Sequence, residues 1–229
     1  MNENIATKNK EELKKNSMHK LSDFEKERLK DEGKYMIARI RRAKKCGIGA
    51  RYYGKTFSNY KEGNNKKAVD ECKAYCRDFS KNLKNGKGLF LTGTVGTGKT
   101  HLLAAIVDYM ARIYKRKYSV DIMYFTSIGL LNELKNSYED KTNDELIFNV
   151  KNCILLLIDD FGAEKTTDWV LETYFEIIDY RYSNLLPTII ATNLTDKEIK
   201  EKLSERIMSR IYEVNKGIKL IGKDYRIES

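Results

Sequence analysis

The sequence predicts an α/β protein in which helices cover both faces of a parallel β-sheet. One observation is a set of short runs that are almost entirely apolar, which is typical of strands buried on both sides. The other is that helical patterns of apolar residues alternate with these runs along the chain. The predicted strands are GLFLTG, VDIMYFT, CILLLIDD and PTIIATN, and the helices are predicted over 66–83, 99–115, 127–136, 143–151 and 166–182.

Composition supports a folded protein outside the membrane. Of the 229 residues, 41% are hydrophobic, which is enough for a sizeable core. The longest purely apolar runs, 102–107 and 153–158, are far shorter than the roughly 20 residues of a membrane helix. The N-terminus has no apolar core of the secretory type, so we expect a cytoplasmic protein with no membrane partner. Four cysteines without a CxxC pair predict reduced thiols rather than disulfides or a zinc site.

The region before the predicted sheet is helical and basic. Apolar residues recur at helical spacing over 21–46. Residues 1–45 carry 14 basic and 8 acidic side chains. The net charge of this region is therefore more than half of the formal net charge of +10 for the whole chain. Such an excess suits a polyanion or an acidic protein, although many solvated helices are equally rich in lysine. We therefore predict a basic helical region over 1–50 and a main domain over 51–229.

A phosphate-binding loop is predicted between the first strand and the helix that follows it. The segment GTVGTGKT matches the pattern G-x-x-x-x-G-K-[ST] in full. Glycines allow successive backbone N–H groups to point into one concavity, and the helix adds its positive N-terminal end. A triphosphate fits there, with Lys99 near the β- and γ-phosphates and the Thr100 hydroxyl on Mg²⁺. The predicted nucleotide-binding residues of this loop are Gly93, Thr94, Val95, Gly96, Thr97, Gly98, Lys99 and Thr100.

Polar residues follow the third and fourth predicted strands. Asp159 and Asp160 end CILLLIDD, and Asn193 ends PTIIATN. Because the carboxyl ends of parallel strands share one edge of a sheet, these side chains are expected beside the phosphate loop. We expect Asp159 to hold Mg²⁺, Asp160 to orient and polarise an attacking water, and Asn193 to hold that water or sense the γ-phosphate. Helix capping by the aspartates and an ordinary turn at the asparagine are the alternatives.

Two arginines after the fourth strand form a further candidate site. Arg206 and Arg210 lie four residues apart on one face of a helix predicted in LSERIMSRI. An arginine that reaches the nucleotide of a neighbouring subunit stabilises charge in the transition state, whereas salt bridges on a solvated helix are the alternative. A short last strand is predicted in GIKLIG. Arg226 beyond it is either a phosphate contact or part of a charged tail.

Together these segments resemble the AAA+ ATPases of the DnaC and DnaI helicase-loader type and the related transposon helper IstB. GTVGTGKTHLLAAI resembles their Walker A segment, LLLIDDFGAE their Walker B, PTIIATN their sensor 1 strand, SERIMSRI their arginine-finger box and GKDYR their sensor 2 ending. ARYYGKTFSNY is similar to the segment that precedes the core near the adenine. The resemblance covers residues 50–229 and implies a P-loop core of five parallel strands with ATP at subunit interfaces.

The resemblance also implies roles for individual residues. It implies that Asn193 is sensor 1, Arg210 the finger and Arg226 sensor 2, and it adds His101 to the residues that bind ATP or ADP. Asp160 stands where most AAA+ proteins have glutamate, which implies slow hydrolysis. The short stretch of chain after the arginine box predicts a helical lid that is absent or rudimentary.

In the initiator-like relatives, the element after the second strand lines a channel for single-stranded DNA. By that resemblance, Lys135 is expected to meet a DNA phosphate and Tyr138 to stack on a base. The leucines of the same element are expected in the core, and they are Leu130, Leu131 and Leu134.

These inferences predict an ATP-dependent replication protein that loads or remodels a replicative helicase of the DnaB type on single-stranded DNA. The protein is expected to self-associate through its ATP interfaces, and the region over 1–50 is the expected partner-binding element. Three alternatives stay open: an ATPase helper of a transposase, a phosphoryl transferase acting on a small molecule, and a nucleotide-switched binding module with negligible turnover.

Overall fold

A computed structural model describes residues 36–113, 122–139, 143–222 and 224. Within these residues, five strands form a sheet in which every pairing is parallel. The strands are β1 (Gly88–Thr92), β2 (Ile122–Thr126), β3 (Leu155–Asp159), β4 (Thr188–Thr192) and β5 (Asn215–Lys219). The predicted fold class is therefore confirmed, including the short strand near the C-terminus.

Helices occupy the segments between the strands. They are α1 (Lys66–Arg77), α2 (Phe79–Lys84), α3 (Lys99–Ile113), α4 (Ser127–Glu139), α5 (Asn143–Asn152), α6 (Asp168–Ser183), α7 (Asp196–Lys202) and α8 (Glu205–Val214). Residues 36–45 are also helical, and the earlier part of the helix predicted over 21–46 lies outside the described residues.

The structure differs from the prediction at three elements. The helix predicted over 66–83 is two helices, because Asp78 leaves the helical conformation at φ −92° and ψ 15°. Helix α7 was not predicted, although Thr195 and Glu198 form a complete capping box at its start. Strand β5 begins at Asn215 rather than Gly217; most of its residues are exposed, so it has no apolar run to mark its bounds.

The strand order brings the functional segments together. The order across the sheet is β2-β3-β4-β1-β5. Ile189 of β4 is therefore paired with Leu89 of β1 on one side and with Leu157 of β3 on the other. Because every strand runs in the same direction, the residues that follow β1, β3 and β4 emerge side by side at the carboxyl edge.

Alternate side chains of each strand enter two separate cores. Leu89 and Leu91 pack with α1 and α3 on one face, whereas Phe90 packs with α4 to α8 on the other. On the first face, Leu102, Leu103 and Ile106 of α3 are completely buried. The start of α3, where the phosphate loop ends, is thereby held firmly against the sheet.

Residues just after the described N-terminal helix cover an edge of the sheet. Contacts among residues divide the chain after Arg41, and the unit Arg42–Ser229 contains all the described strands. Within this unit, the Tyr124 amide donates to the Cys46 carbonyl over 2.7 Å, and Ile48 is buried. Part of edge strand β2 is thus covered. The boundary predicted between residues 50 and 51 stays a prediction. Across the ranges described, none of the helices is long and apolar enough to span a membrane.

Candidate functional site

A cavity of about 270 Å³ opens at the carboxyl edge of the sheet. Its walls come from the phosphate loop, the end of β3, the end of β4 and the segment around residue 52. The lining residues are Arg51, Tyr52, Lys55, Val95, Gly96, Gly98, Lys99, Thr100, His101, Asp160 and Asn193. The structure therefore brings together the three groups of residues that the motifs singled out separately.

The phosphate loop folds around the ammonium group of Lys99. Lys99 is only 4% exposed, and its Nζ donates to the carbonyls of Gly93 and Thr94 over 2.6 and 2.8 Å. The Thr97 hydroxyl donates to the same Thr94 carbonyl over 2.8 Å. Helix α3 has no acidic residue in its first turn, so no charge of its own helix opposes the positive end of its dipole. Both features favour an anion at this place.

The segment before the core holds the outside of this loop. The Tyr60 hydroxyl donates to the Thr97 carbonyl over 2.9 Å. Gly98 has φ +94°, and a Cβ atom there would lie 2.7 Å from the Tyr60 ring. A side chain at position 98 is therefore excluded both by the backbone conformation and by the tyrosine.

Asp159 lies buried behind the cavity with three hydrogen-bond donors. Its Oδ2 accepts from the Tyr124 hydroxyl over 2.9 Å, and its Oδ1 accepts from the Asp160 amide over 3.0 Å. The Thr100 side chain also donates to this carboxylate. Burial raises the pKa of Asp159, and the hydrogen bond from Thr100 opposes that rise. A cation beside this carboxylate would therefore relieve part of the cost of burying its charge.

Asp160 reaches the cavity through an unusual backbone conformation. Its φ is +52°, in the left-handed region, and the next residue is tied to β4 because the Phe161 amide donates to the Ala191 carbonyl over 2.8 Å. The Asn193 side-chain amide donates to Asp160 Oδ1 over 2.7 Å. The carboxylate after β3 and the amide after β4 therefore form one unit. The cap of α6 is Thr167, not either aspartate.

His101 joins the phosphate loop to the segment before the core. Its Nε2 lies 3.0 Å from the Thr56 carbonyl and 3.1 Å from Asn59 Oδ1. Both partners are acceptors, so we assign the proton of the neutral ring to Nε2. Burial lowers the pKa of His101, which keeps the ring neutral near pH 7.

The sequence did not single out four residues of this site. Arg51, Tyr52 and Lys55 line the cavity, and Tyr124 holds Asp159 from strand β2. The resemblance of ARYYGKTFSNY to a segment near the adenine was a signal for the first three. No signal in the sequence pointed to Tyr124, because its hydrogen bond to Asp159 joins residues 35 positions apart.

Other predicted residues lie away from the cavity walls or outside the described residues. Arg210 forms an ion pair with Asp179 at 2.6 Å and lies over the ring of Phe175 at 5.0 Å. Lys135 lines a different groove on α4. The side chain of Tyr138 and all of Arg226 lie outside the described residues.

Similarity to known proteins agrees with this geometry. Residues 52–219 match the family model of the bacterial DnaA ATPase domain. The replicative helicase loader DnaI of Bacillus subtilis is 36% identical over 165 residues, which is 65% of this chain and 51% of DnaI. The chain therefore spans about half the length of that relative.

Solved structures of a helicase loader and of an initiator are also similar to this chain. The DnaC helicase loader superposes with a TM-score of 0.66 and 31% identity, covering 76% of this chain and 100% of that one. The initiator DnaA bound to AMPPCP and single-stranded DNA shares the fold, with a TM-score of 0.63 and 24% identity over 76% of this chain and 51% of that one. The family match over residues 52–219 and the likeness to the DnaC loader show that the chain belongs to the DnaC/DnaI family of AAA+ proteins.

Proposed function

We propose that the chain binds ATP together with Mg²⁺ in the 270 Å³ cavity and hydrolyses it where copies of the chain meet. The charges of the side chains that line the cavity are the strongest support for this proposal. Its walls carry three cationic side chains, Arg51, Lys55 and Lys99, and one carboxylate, Asp160. Such a surface suits a polyanion and offers one carboxylate as the base for a water molecule.

Thr100 and Asp159 are the residues that would hold Mg²⁺. Both offer oxygen ligands, which this hard ion prefers, and they already share a hydrogen bond. The described part of the chain contains no group of three or more His, Cys, Asp or Glu side chains that could bind a metal. An ion bound by Thr100 and Asp159 would neutralise part of the phosphate charge.

The remaining residues of the site bind the phosphates, orient the attacking water or stabilise the charge that develops during hydrolysis. Lys99 contributes a positive charge that reaches the phosphates once it exchanges the loop carbonyls for phosphate oxygens. Asp160 accepts a proton from the attacking water, and Asn193 fixes the carboxylate through Oδ1 so that the other oxygen faces the water. Arg210 of a neighbouring copy then stabilises the charge that develops during hydrolysis.

We further propose that this ATPase acts on a replicative helicase of the DnaB type on single-stranded DNA. DnaI and DnaC are both named as replicative helicase loaders, and they are similar to this chain over 65% and 73% of its length. The basic region over 1–50 is the proposed contact with the helicase. This role concerns the whole protein, and it therefore stands as a proposal.

The groove on α4 supports the contact with DNA. It has a volume of about 610 Å³, and its lining includes Lys135, Ile128 and Trp169. The groove thus combines a positive charge with an aromatic ring, beside one acidic residue, Glu164. Proteins hold a single strand with such a pair: the charge meets a phosphate and the ring stacks on a base. Trp169 thus joins Lys135 as a proposed DNA-binding residue.

The test is ATP hydrolysis by the full chain alone, with a replicative helicase, and with single-stranded DNA. We expect hydrolysis to depend on Mg²⁺ and to rise when helicase and DNA are added. Trp169 is the only tryptophan of the chain, so its fluorescence reports directly on DNA in the α4 groove. We expect DNA to quench it, and Lys135→Ala to weaken the quenching.

Lys99→Ala is the matching negative variant. The lost charge is expected to weaken nucleotide binding about 10- to 100-fold, as for a hydrogen bond to a charged group. Lys87→Ala is the control, because Lys87 donates to the carbonyl of Glu213 at the opposite edge of the sheet. Phosphorylation of a small metabolite would contradict the proposed function. So would a rate of ATP hydrolysis that does not change when helicase and DNA are added.

A further inference from the structure

Tyr124 lies in strand β2, does not line the cavity and contacts Asp159. Its hydroxyl donates to Asp159 Oδ2 over 2.9 Å. Tyr124 is 5% exposed and Asp159 is 1% exposed, so water does not compete for this hydrogen bond. A buried hydrogen bond to a charged acceptor is among the stronger ones in proteins.

The position of the tyrosine is fixed from several sides. Its backbone pairs with Leu157 in the neighbouring strand, and its amide donates to the Cys46 carbonyl over 2.7 Å. A Cβ atom on Gly47 would lie 2.4 Å from the Tyr124 carbonyl oxygen, so the covering chain is in close contact here. The ring belongs to the core that α1 and α3 share with the sheet. The hydroxyl can therefore act as a rigid donor.

The three donors to Asp159 have different consequences. The Asp160 amide holds Oδ1. Thr100 is itself a proposed Mg²⁺ ligand, so its hydroxyl must serve both the carboxylate and the ion. Tyr124 alone belongs to neither the phosphate loop nor the acidic strand end. Its hydroxyl is thus the donor that can hold Oδ2, opposite the amide on Oδ1, while Thr100 binds the ion.

We propose that Tyr124 is a positioning residue for the magnesium-binding carboxylate, and that its hydroxyl sets the affinity of the nucleotide site for Mg²⁺. The inference rests on the proposed function, because it requires Asp159 to act with Mg²⁺. Groups that orient a metal ligand from behind commonly change metal affinity by 10- to 100-fold when they are removed.

Tyr124→Phe tests the proposal, because it removes one oxygen and keeps the ring in the core. The matched control is Tyr75→Phe. Tyr75 is buried in the same core, and its hydroxyl donates to the Lys87 carbonyl over 3.1 Å, away from the cavity. For both variants and the unmodified full chain, binding of a fluorescent ATP analogue is titrated with Mg²⁺ and, separately, measured in EDTA.

We expect Tyr124→Phe to raise the Mg²⁺ concentration at half-saturation by about tenfold or more. Its analogue affinity in EDTA should stay near that of the unmodified chain, and Tyr75→Phe should change neither quantity. An unchanged Mg²⁺ midpoint overturns the positioning role while the proposed function stands. Loss of affinity in EDTA as well would make Tyr124 a structural residue. An unmodified chain that binds no analogue would overturn the proposed function itself.

Discussion

Asp160→Asn is expected to slow ATP hydrolysis by about 100- to 10,000-fold, the usual contribution of a general base. The substitution keeps the shape of the side chain and the Oδ1 atom that accepts from Asn193, but it removes the basic carboxylate. Asparagine also tolerates the left-handed backbone at φ +52° as well as aspartate does. The fold and the binding of Mg²⁺ and ATP should therefore be preserved.

Phosphate release at saturating ATP, together with the affinity for a fluorescent ATP analogue, separates these two effects. Asp168→Asn is the control, because Asp168 is an exposed acid in the first turn of α6. If Asp160→Asn hydrolyses ATP at the rate of the unmodified chain, Asp160 is not the general base. An equal loss of binding and hydrolysis would instead mean that the carboxylate is needed to build the cavity.

Arg210→Ala is expected to reduce hydrolysis by the assembled protein about 10³- to 10⁵-fold, which is the range for an arginine supplied by a neighbouring subunit. Within its own chain, Arg210 pairs with Asp179 at 2.6 Å and stacks on Phe175 and Tyr182. It does not line the cavity of its own chain. Hydrolysis by dilute, unassembled protein should therefore change little, and so should ATP binding.

The ion pair with Asp179 also makes a structural role possible for Arg210, and a second variant tests it. Asp179→Asn removes the same ion pair and leaves the arginine in place. If Arg210 acts on a neighbour, Asp179→Asn keeps hydrolysis and Arg210→Ala loses it. Matching losses of activity and thermal stability in both variants would show that Arg210 only joins α8 to α6.

The central part of the site could be predicted because its signals are local. GTVGTGKT identifies the phosphate loop by itself, and Asp159 and Asn193 each follow a buried apolar run. A parallel sheet then brings the ends of its strands to one edge without any knowledge of their order. Helix α7 could also have been predicted, since Thr195 and Glu198 have the spacing of a capping box.

Other contacts depend on where distant segments come together. Arg51 and Lys55 line the cavity because His101 and Tyr60 attach the segment around them to the phosphate loop. Tyr124 meets Asp159 because β2 pairs with β3 in one particular register. Neither contact follows from spacing along the chain. In β5 most residues are exposed, so its start depends on pairing with β1 rather than on an apolar pattern.

The central claim is that the phosphate loop and the carboxylates beside it form one site for Mg²⁺ and ATP. The most direct measurement is a crystal structure of the full chain with AMPPCP and Mn²⁺, in which the anomalous signal locates the metal. We predict phosphates in the loop of residues 93–100, with the manganese peak beside Thr100 and Asp159. A nucleotide bound elsewhere, or a metal peak away from these two residues, would contradict the claim.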